Sequence, residues 1–475
     1  MNKISLLTKN INFDESFIRL YESLRKTYSS DSAILESVKG GRFSYICLEP
    51  FITFKSKGSD IKIIKEHNII SIKGNPIEEL RNLMNEFKIE SSAKDLPFFF
   101  GGAIGYFGYD LVHFIEKLPK TAKDDLKLPD CYLIFPRKIL VLDKKEKNVH
   151  IIIIKQSDMD EKELDDIINQ IRNLNKGKKF VLNKQLLEDT KKSINSKDIK
   201  SNFSLEEYKK VIQKCKDYVL NGDSFQIKIS QRLEEDFKDL DAFELYKILR
   251  EINPSPYSAF LDLEDVKLVS CSPEHLIKLK DGIAETRPIG GTYPRGKNEE
   301  DECLLIQKFK NDKKELAEHT MLIDLERNDL GKVCEFGTVR VNELMTIEKY
   351  SHLLHIVTNI KGKLDKDKDC FDLFKGMFPG GTITGCPKVR TMEIIDELEP
   401  VTRGPYTGSI GFINFNKEIN LNITIRTAVI CNDKAYIQVG GGIVADSDAE
   451  KEYEETIHKG MALVEAIHYL KEIKK

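Results

Sequence analysis

Short alternating runs arrive in neighbouring groups along this chain, and the helical runs fall between the groups rather than between single strands. FQIKISQRL (225–233) alternates like a half-buried strand, and FLDLEDVKLVSCSPEHLIKL (260–279) reads as two strands around a turn. GSIGFINF (408–415), NLNITIRTAV (420–429) and AYIQVGGGIV (435–444) are further strands, while helical segments lie near 300–325, 386–399 and 448–472. That grouping predicts a large layered α+β fold of sheet and helix, not a strict βαβ alternation. The clearest single helix is 204–222. Ser204 and Glu207 fit a capping box; Tyr208, Val211, Ile212, Cys215, Tyr218 and Val219 follow at helical spacing, and Gly222 can stop it.

A polar stretch at 184–203 (KQLLEDTKKSINSKDIKSNF) separates a region at 1–183 from one at 204–475 and reads as a connector. With 475 residues, 40% of them apolar, the chain can bury a large core. The formal net charge of −3 gives no bulk attraction for nucleic acid, so an anionic ligand must be held by a local cluster of donors. The start MNKISLLTKN lacks a secretory pattern, and runs such as HIIIIK and KILVLD are strand-length, too short for a membrane span. Nine cysteines without a CxxC pair fit reduced thiols in the cytoplasm and argue against zinc.

Two helices carry paired acids. Glu315 and Glu318 are three apart, hence on one face, and Glu452 and Glu455 repeat the spacing, with Lys459 one turn further on. Two such pairs across a cleft suit a hard, oxygen-ligated cation such as Mg²⁺; the same spacing is also what two solvated acidic faces would show. Gly440, Gly441 and Gly442 could bring backbone N–H groups close to an anion, or simply form a bulge or turn. Arg426 could clamp a carboxylate with two hydrogen bonds. GGTITGCPK (380–388), which contains Thr382, lacks the GK[ST] ending of a nucleotide-binding P-loop. His355 is either a catalyst or a satisfied structural histidine.

Taken in order, GYFGYD (105–110), SPEH (272–275), TRPIGGT (286–292), ELAEHTMLIDLERNDLG (315–331), YSHLLHIV (350–357), FPGGTITGCPKVRTMEIIDELEP (378–400), RGPYTGSIGF (403–412), ITIRT (423–427), GGGIVADS (440–447) and YEET (453–456) resemble the chorismate-utilising enzymes. That family includes anthranilate, aminodeoxychorismate, isochorismate and salicylate synthases. The resemblance spans nearly the whole chain, and 1–183 takes the place of the anthranilate-synthase-like N-terminal region. It implies that Glu318 and Glu455 ligate Mg²⁺, with Glu315 and Glu452 beside it. It also implies that Tyr406, Arg426, Gly440, Gly441, Gly442, Lys459, Gln226 and Thr292 contact substrate, that Thr382 lies near the ring, and that Glu274 protonates the departing C4 hydroxyl. For Glu274 this requires a raised pKa, which burial can supply. His355 matches a histidine associated with pyruvate loss.

Three positions narrow the reaction. Water-adding members resemble one another in a strand lysine where this chain has Gln226, so isochorismate and salicylate formation are disfavoured; Lys228, two residues on and on the same strand face, remains a possible substitute. Gly290 stands where some aminodeoxychorismate synthases carry a nucleophilic lysine, which excludes a covalent lysine intermediate at that position. FPGGTITG, YTGSIGF and LNITIRT resemble aminodeoxychorismate synthases, whereas ILESVKGGRFSYI (34–46) resembles part of the tryptophan feedback site of anthranilate synthases. The expectation is amination of chorismate to 4-amino-4-deoxychorismate, with anthranilate formation as the alternative. No glutaminase nucleophile segment is visible, so ammonia is expected from a separate glutamine amidotransferase subunit.

Overall fold

The computed structural model describes residues 2–28, 31–65, 68–89, 96–155, 160–174, 180–195, 198–349 and 353–475. Two long strands, Phe43–Lys57 and Cys131–Asp143, pair antiparallel and form the trunk of the sheet. FSYICLEPFITFKSK and CYLIFPRKILVLD are rich in β-branched and aromatic residues and are largely buried on both faces, so they read as continuous apolar runs rather than alternating ones.

Two arms leave this trunk. One runs through Ser32–Glu36, Tyr257–Asp262, Lys267–Ser272, Thr427–Cys431 and Lys434–Ile443 to Gln226–Asp236. The other runs through Gly102–Phe107, Ser409–Asn414, Ile419–Asn422, His275–Lys280 and Ile283–Arg287 to Leu353–Lys363, which also pairs with Ile289–Pro294 and Arg340–Lys349. Every pairing in both arms is antiparallel, which fits the expected α+β fold.

Helix Ala449–Lys474 lies on strand Lys434–Ile443 and packs against helices Ala242–Ile252, Leu205–Leu220 and Lys184–Ser193. The capping box is present: Ser204 Oγ accepts from Glu207 N at 3.3 Å, and Glu207 Oε2 accepts from Ser204 N at 2.8 Å. Gly222, at φ +84°, follows the end of that helix.

Three elements differ from the sequence reading. The helix expected near 300–325 is two, Glu299–Lys310 and Lys313–Gly331, because Asp312 leaves the first and caps the second, accepting from Lys314 N and Glu315 N. FLDLEDVKLVSCSPEHLIKL holds three strands: Pro273 cannot donate to a ladder, and the chain changes arms there. NLNITIRTAV is likewise not one strand. It breaks after Asn422 and resumes at Thr427, with Arg426 at φ 53° in the gap.

The polar stretch 184–203 joins the two regions, and its described residues include helix Lys184–Ser193 and strand Lys200–Ser201. Asn183 caps helix Lys184–Ser193 by accepting from Leu186 N at 3.2 Å, and Asn183 N donates to Tyr469 OH at 2.9 Å. The two regions share their cores: Tyr21, Ile46 and Leu140 pack in one cluster with Phe260, Ile437 and Leu463. Among the described residues no helix is long and apolar enough to cross a membrane.

Candidate active site

The site lies where the chain crosses between the arms. Pro273 and Glu274 link strand Lys267–Ser272 of the first arm to His275–Lys280 of the second. Residues 423–426 make the reverse crossing, from Ile419–Asn422 to Thr427–Cys431. The two crossings are tied to each other: Ile423 N donates to Glu274 O at 3.1 Å, Ser272 Oγ donates to Ile423 O at 2.6 Å, and Cys271 N donates to Arg426 O at 3.1 Å. Neither Glu274 nor Arg426 is therefore held within a regular ladder, and both side chains can turn into the gap between the arms.

Glu274 is 5% exposed. Burial pushes its carboxyl up to about 7. The Ile289 amide, 3.4 Å from Oε1, the nearby Thr382 hydroxyl and the charge of Lys228 oppose that rise without cancelling it. Thr382 Oγ1 is buried and forms no hydrogen bond of ordinary geometry. A donor held this way at a carboxyl half-protonated near neutrality is the arrangement needed to deliver a proton to a poor leaving group.

The acidic pairs arrive from two helices. Glu318 accepts from Gln226 Nε2 at 2.9 Å and from Lys228 Nζ at 3.3 Å. Glu455 pairs with Lys459 Nζ at 2.7 Å, and that ammonium also donates to Gly440 O at 3.1 Å. Burial would raise both carboxyls, but Lys228 and Gln226 hold Glu318 below the usual carboxylate range, and Lys459 and Lys228 do the same for Glu455. Burial, with Glu318 adding to it, raises Glu315; burial also raises Glu452, with Glu455 adding and the Ser447 hydroxyl at 2.8 Å opposing. Of these carboxyls Lys228 Nζ pairs with Glu318, and it stands opposite Gly442 on the neighbouring strand.

Gly440, Gly441 and Gly442 form neither a bulge nor a turn. They pair in register with Ser230, Ile229 and Lys228, beyond the last residue of Lys434–Ile443 that pairs with Thr427–Cys431. Their lack of side chains is used directly: a Cβ at Gly440 would sit 2.8 Å from Tyr406 OH, and one at Gly442 would sit 2.5 Å from Lys228 Nζ. Tyr406 is raised chiefly by burial and stays neutral. Arg426 donates to the Lys459 carbonyl, which ties the crossing to the C-terminal helix.

His355 sits beside this group, with Nδ1 3.2 Å from Gly291 O; burial lowers its pKa, so the ring is neutral at pH 7. Thr292 pairs with His355 along the backbone; its side chain, and residues 350–352 of YSHLLHIV, lie outside the described residues.

Several supporting residues lie inside the motifs quoted above, but the sequence alone assigned them no role. Arg403, buried with Glu399 at 2.7 Å, donates to Lys228 O at 2.7 Å and Ile383 O at 3.1 Å, fixing the Lys228 strand against the Thr382 turn. His319, directly after Glu318, is fully buried; its Nε2 meets Thr358 Oγ1 at 2.7 Å, and a Cβ at Gly290 would lie 2.2 Å from its Nδ1. The imidazole thus fills the space in which a side chain at 290 would begin. Glu326 is a second buried carboxyl raised to about 7 by burial, held by Thr286 Oγ1 and Gly381 N, each at 3.2 Å.

Among the described residues no three His, Cys, Asp or Glu side chains already converge as a metal cage. The donors are two carboxylate pairs, each bound to an ammonium group. Carboxylate oxygens are the donor type that a hard cation such as Mg²⁺ takes.

A separate cavity of about 840 Å³ is lined by Leu35, Glu36, Arg42, Tyr257, His275 and Arg287 among others. The segment 34–46, which resembles part of a feedback site, forms one wall of it. The acidic pairs do not line this cavity.

Chorismate binding enzymes as a family match residues 30–465. Anthranilate synthase component 1 of Acetivibrio thermocellus is 40% identical, across 100% of this chain and 99% of that protein. Aminodeoxychorismate synthase component 1 of Bacillus subtilis (strain 168) is 39% identical, across 96% of each. Among solved structures, anthranilate synthase component I from Streptococcus pneumoniae TIGR4 superposes with a TM-score of 0.76 at 31% identity, covering 89% of this chain and 92% of that one. The menaquinone-specific isochorismate synthase of Escherichia coli shares the fold, with a TM-score of 0.72 at 16% identity over 98% of this chain and 95% of that one. A conjunction of motif order, inter-arm crossings and full-length similarity makes this chain a member of the chorismate binding enzyme family.

Proposed function

We propose that the chain aminates chorismate at C4, giving 4-amino-4-deoxychorismate. The wording of FPGGTITG, YTGSIGF and LNITIRT carries the choice of C4, and Glu274, a buried carboxyl at about 7 at the crossing, supports the loss of the C4 hydroxyl that either product requires. Arg426, Lys459, Tyr406 and the backbone of Gly440, Gly441 and Gly442 would grip the two carboxylates of the substrate. Protonated Glu274 gives its proton to the C4 hydroxyl; the C4–O bond breaks, water leaves, and ammonia forms the C4–N bond and then loses a proton. Gly290, with His319 filling the adjoining space, leaves attack by free ammonia, or by water followed by amination, rather than by a lysine at 290.

Glu318 and Glu455 would hold Mg²⁺ directly, with Glu315 and Glu452 beside them, and the ion would neutralise the ring carboxylate of the substrate. Ammonia would come from a separate glutamine amidotransferase subunit. The chain alone is then expected to form product with ammonium salts, and with glutamine only once that subunit is added.

A second reading is anthranilate formation, favoured by the cavity whose wall is the segment resembling a tryptophan feedback element. Incubation with chorismate, Mg²⁺ and ammonium, with and without aminodeoxychorismate lyase, separates the two. Para-aminobenzoate that appears only with the lyase supports C4 amination; fluorescent anthranilate plus pyruvate without the lyase overturns it in favour of the second reading.

A further inference from the structure

We infer that Lys228 is a built-in counter-ion of the acidic cradle, and that a divalent cation must displace its ammonium group to bind there. The inference rests on the metal reading given above. Lys228 stands on strand Gln226–Asp236 directly opposite Gly442, and its stem reaches past that glycine into the space between the two acidic helices. Its Nζ lies 3.3 Å from Glu318 Oε1, the same oxygen that accepts from Gln226.

Lys459, by contrast, pairs with Glu455 and donates to the Gly440 carbonyl. A cation bound by Glu318 and Glu455 would meet Lys228 as a like charge a few ångströms away, in a cleft where the Lys228 and Glu318 side chains are only 21% and 27% exposed. Like charges at that range oppose one another even with water's screening. Gly442 then has a second use, since any side chain there would block the lysine's path into or out of the cradle.

The test is Mn²⁺ binding to the full chain without substrate, followed by the loss of the free-ion paramagnetic resonance signal. Lys228→Met keeps the length of the stem and removes the charge; it should bind Mn²⁺ about tenfold more tightly than the unaltered protein, the scale of removing one nearby unit charge from a partly screened site. Lys228→Arg keeps the charge and should bind like the unaltered protein, which separates charge from packing. Glu318→Gln should lose the site. Equal affinity for the unaltered protein and Lys228→Met would leave the metal reading standing and overturn the role of Lys228. Absence of binding by every variant would overturn both.

Discussion

Replacing Glu274 by Gln should make this protein more stable and almost inactive at the same time. Glutamine is nearly isosteric and keeps an acceptor for the Ile289 amide, but it cannot ionise. In the folded protein the Glu274 carboxyl stands at about 7 rather than its ordinary 4.5, because burial disfavours the charged form. A folded pKa above the unfolded one means that the folded state holds the proton more tightly. The associated stability is fully present below pH 4.5 and is lost as pH rises through about 7. At about 1.4 kcal/mol per pH unit, the rise from 4.5 to 7 corresponds to about 3 kcal/mol.

Urea unfolding of both proteins at pH 4.5 and pH 8 measures this directly. The difference between them matters more than either curve, because Glu326 and Asp110 are also raised to about 7 and give the unaltered protein the same trend. The variant should gain up to about 3 kcal/mol over the unaltered protein at pH 8 and little at pH 4.5. Turnover of chorismate with ammonium should fall about 100- to 10,000-fold, the usual contribution of a positioned acid. The unaltered enzyme should lose kcat/KM above pH 7, about tenfold per unit, as Glu274 gives up its proton. A variant within tenfold of full activity would refute the proton-donor role. A variant with no stability gain at pH 8 would refute the burial argument beneath it.

Other consequences can be checked alongside. Arg403→Met leaves Glu399 buried without its charged partner, with only the Ser230 amide and hydroxyl donating to it, and should cost about 3–5 kcal/mol in urea unfolding, with some loss of activity because Arg403 also holds the Lys228 carbonyl. Gly290→Ala forces the buried His319 ring to move and should lower stability by about 1–3 kcal/mol, seen as a drop in Tm. Arg426→Gln should raise KM for chorismate about tenfold or more, since it removes a charged donor from the carboxylate site; an unchanged KM would place Arg426 outside that site. Glu318→Gln should abolish turnover while the far-ultraviolet circular dichroism stays that of the unaltered protein.

Local chemistry made much of the fold readable. The capping box at Ser204 and Glu207, the stop at Gly222 and the antiparallel grouping of strands depend on residues close in sequence, and each is found where those residues place it. The long-range partners were not readable. FSYICLEPFITFKSK carries no mark that it pairs with Cys131–Asp143, and a polar stretch such as 184–203 carries no mark that Asn183 and its leucines dock on the C-terminal helix. The core is shared between both halves because each arm takes strands from both, which composition along the chain cannot reveal.

The misread strands are the places where the chain crosses between the arms. Periodicity treats ITIRTAV as a continuous ladder, but a ladder would fix Arg426 on one sheet face beside its strand neighbours. The crossing at 423–426 instead takes it out of both sheets, at φ 53°, and sets it against the C-terminal helix through the Lys459 carbonyl. Pro273 does the same for Glu274, removing a ladder donor where the chain must leave one arm for the other. Each crossing costs regular pairing and leaves Glu274 or Arg426 outside the ladders, and the hydrogen bonds from Ile423 to Glu274 and from Cys271 to Arg426 hold the two crossings in fixed relation. An acid and a cation are thereby positioned by backbone joined to backbone, which a pattern of apolar residues cannot encode and which the order of short motifs along the chain can.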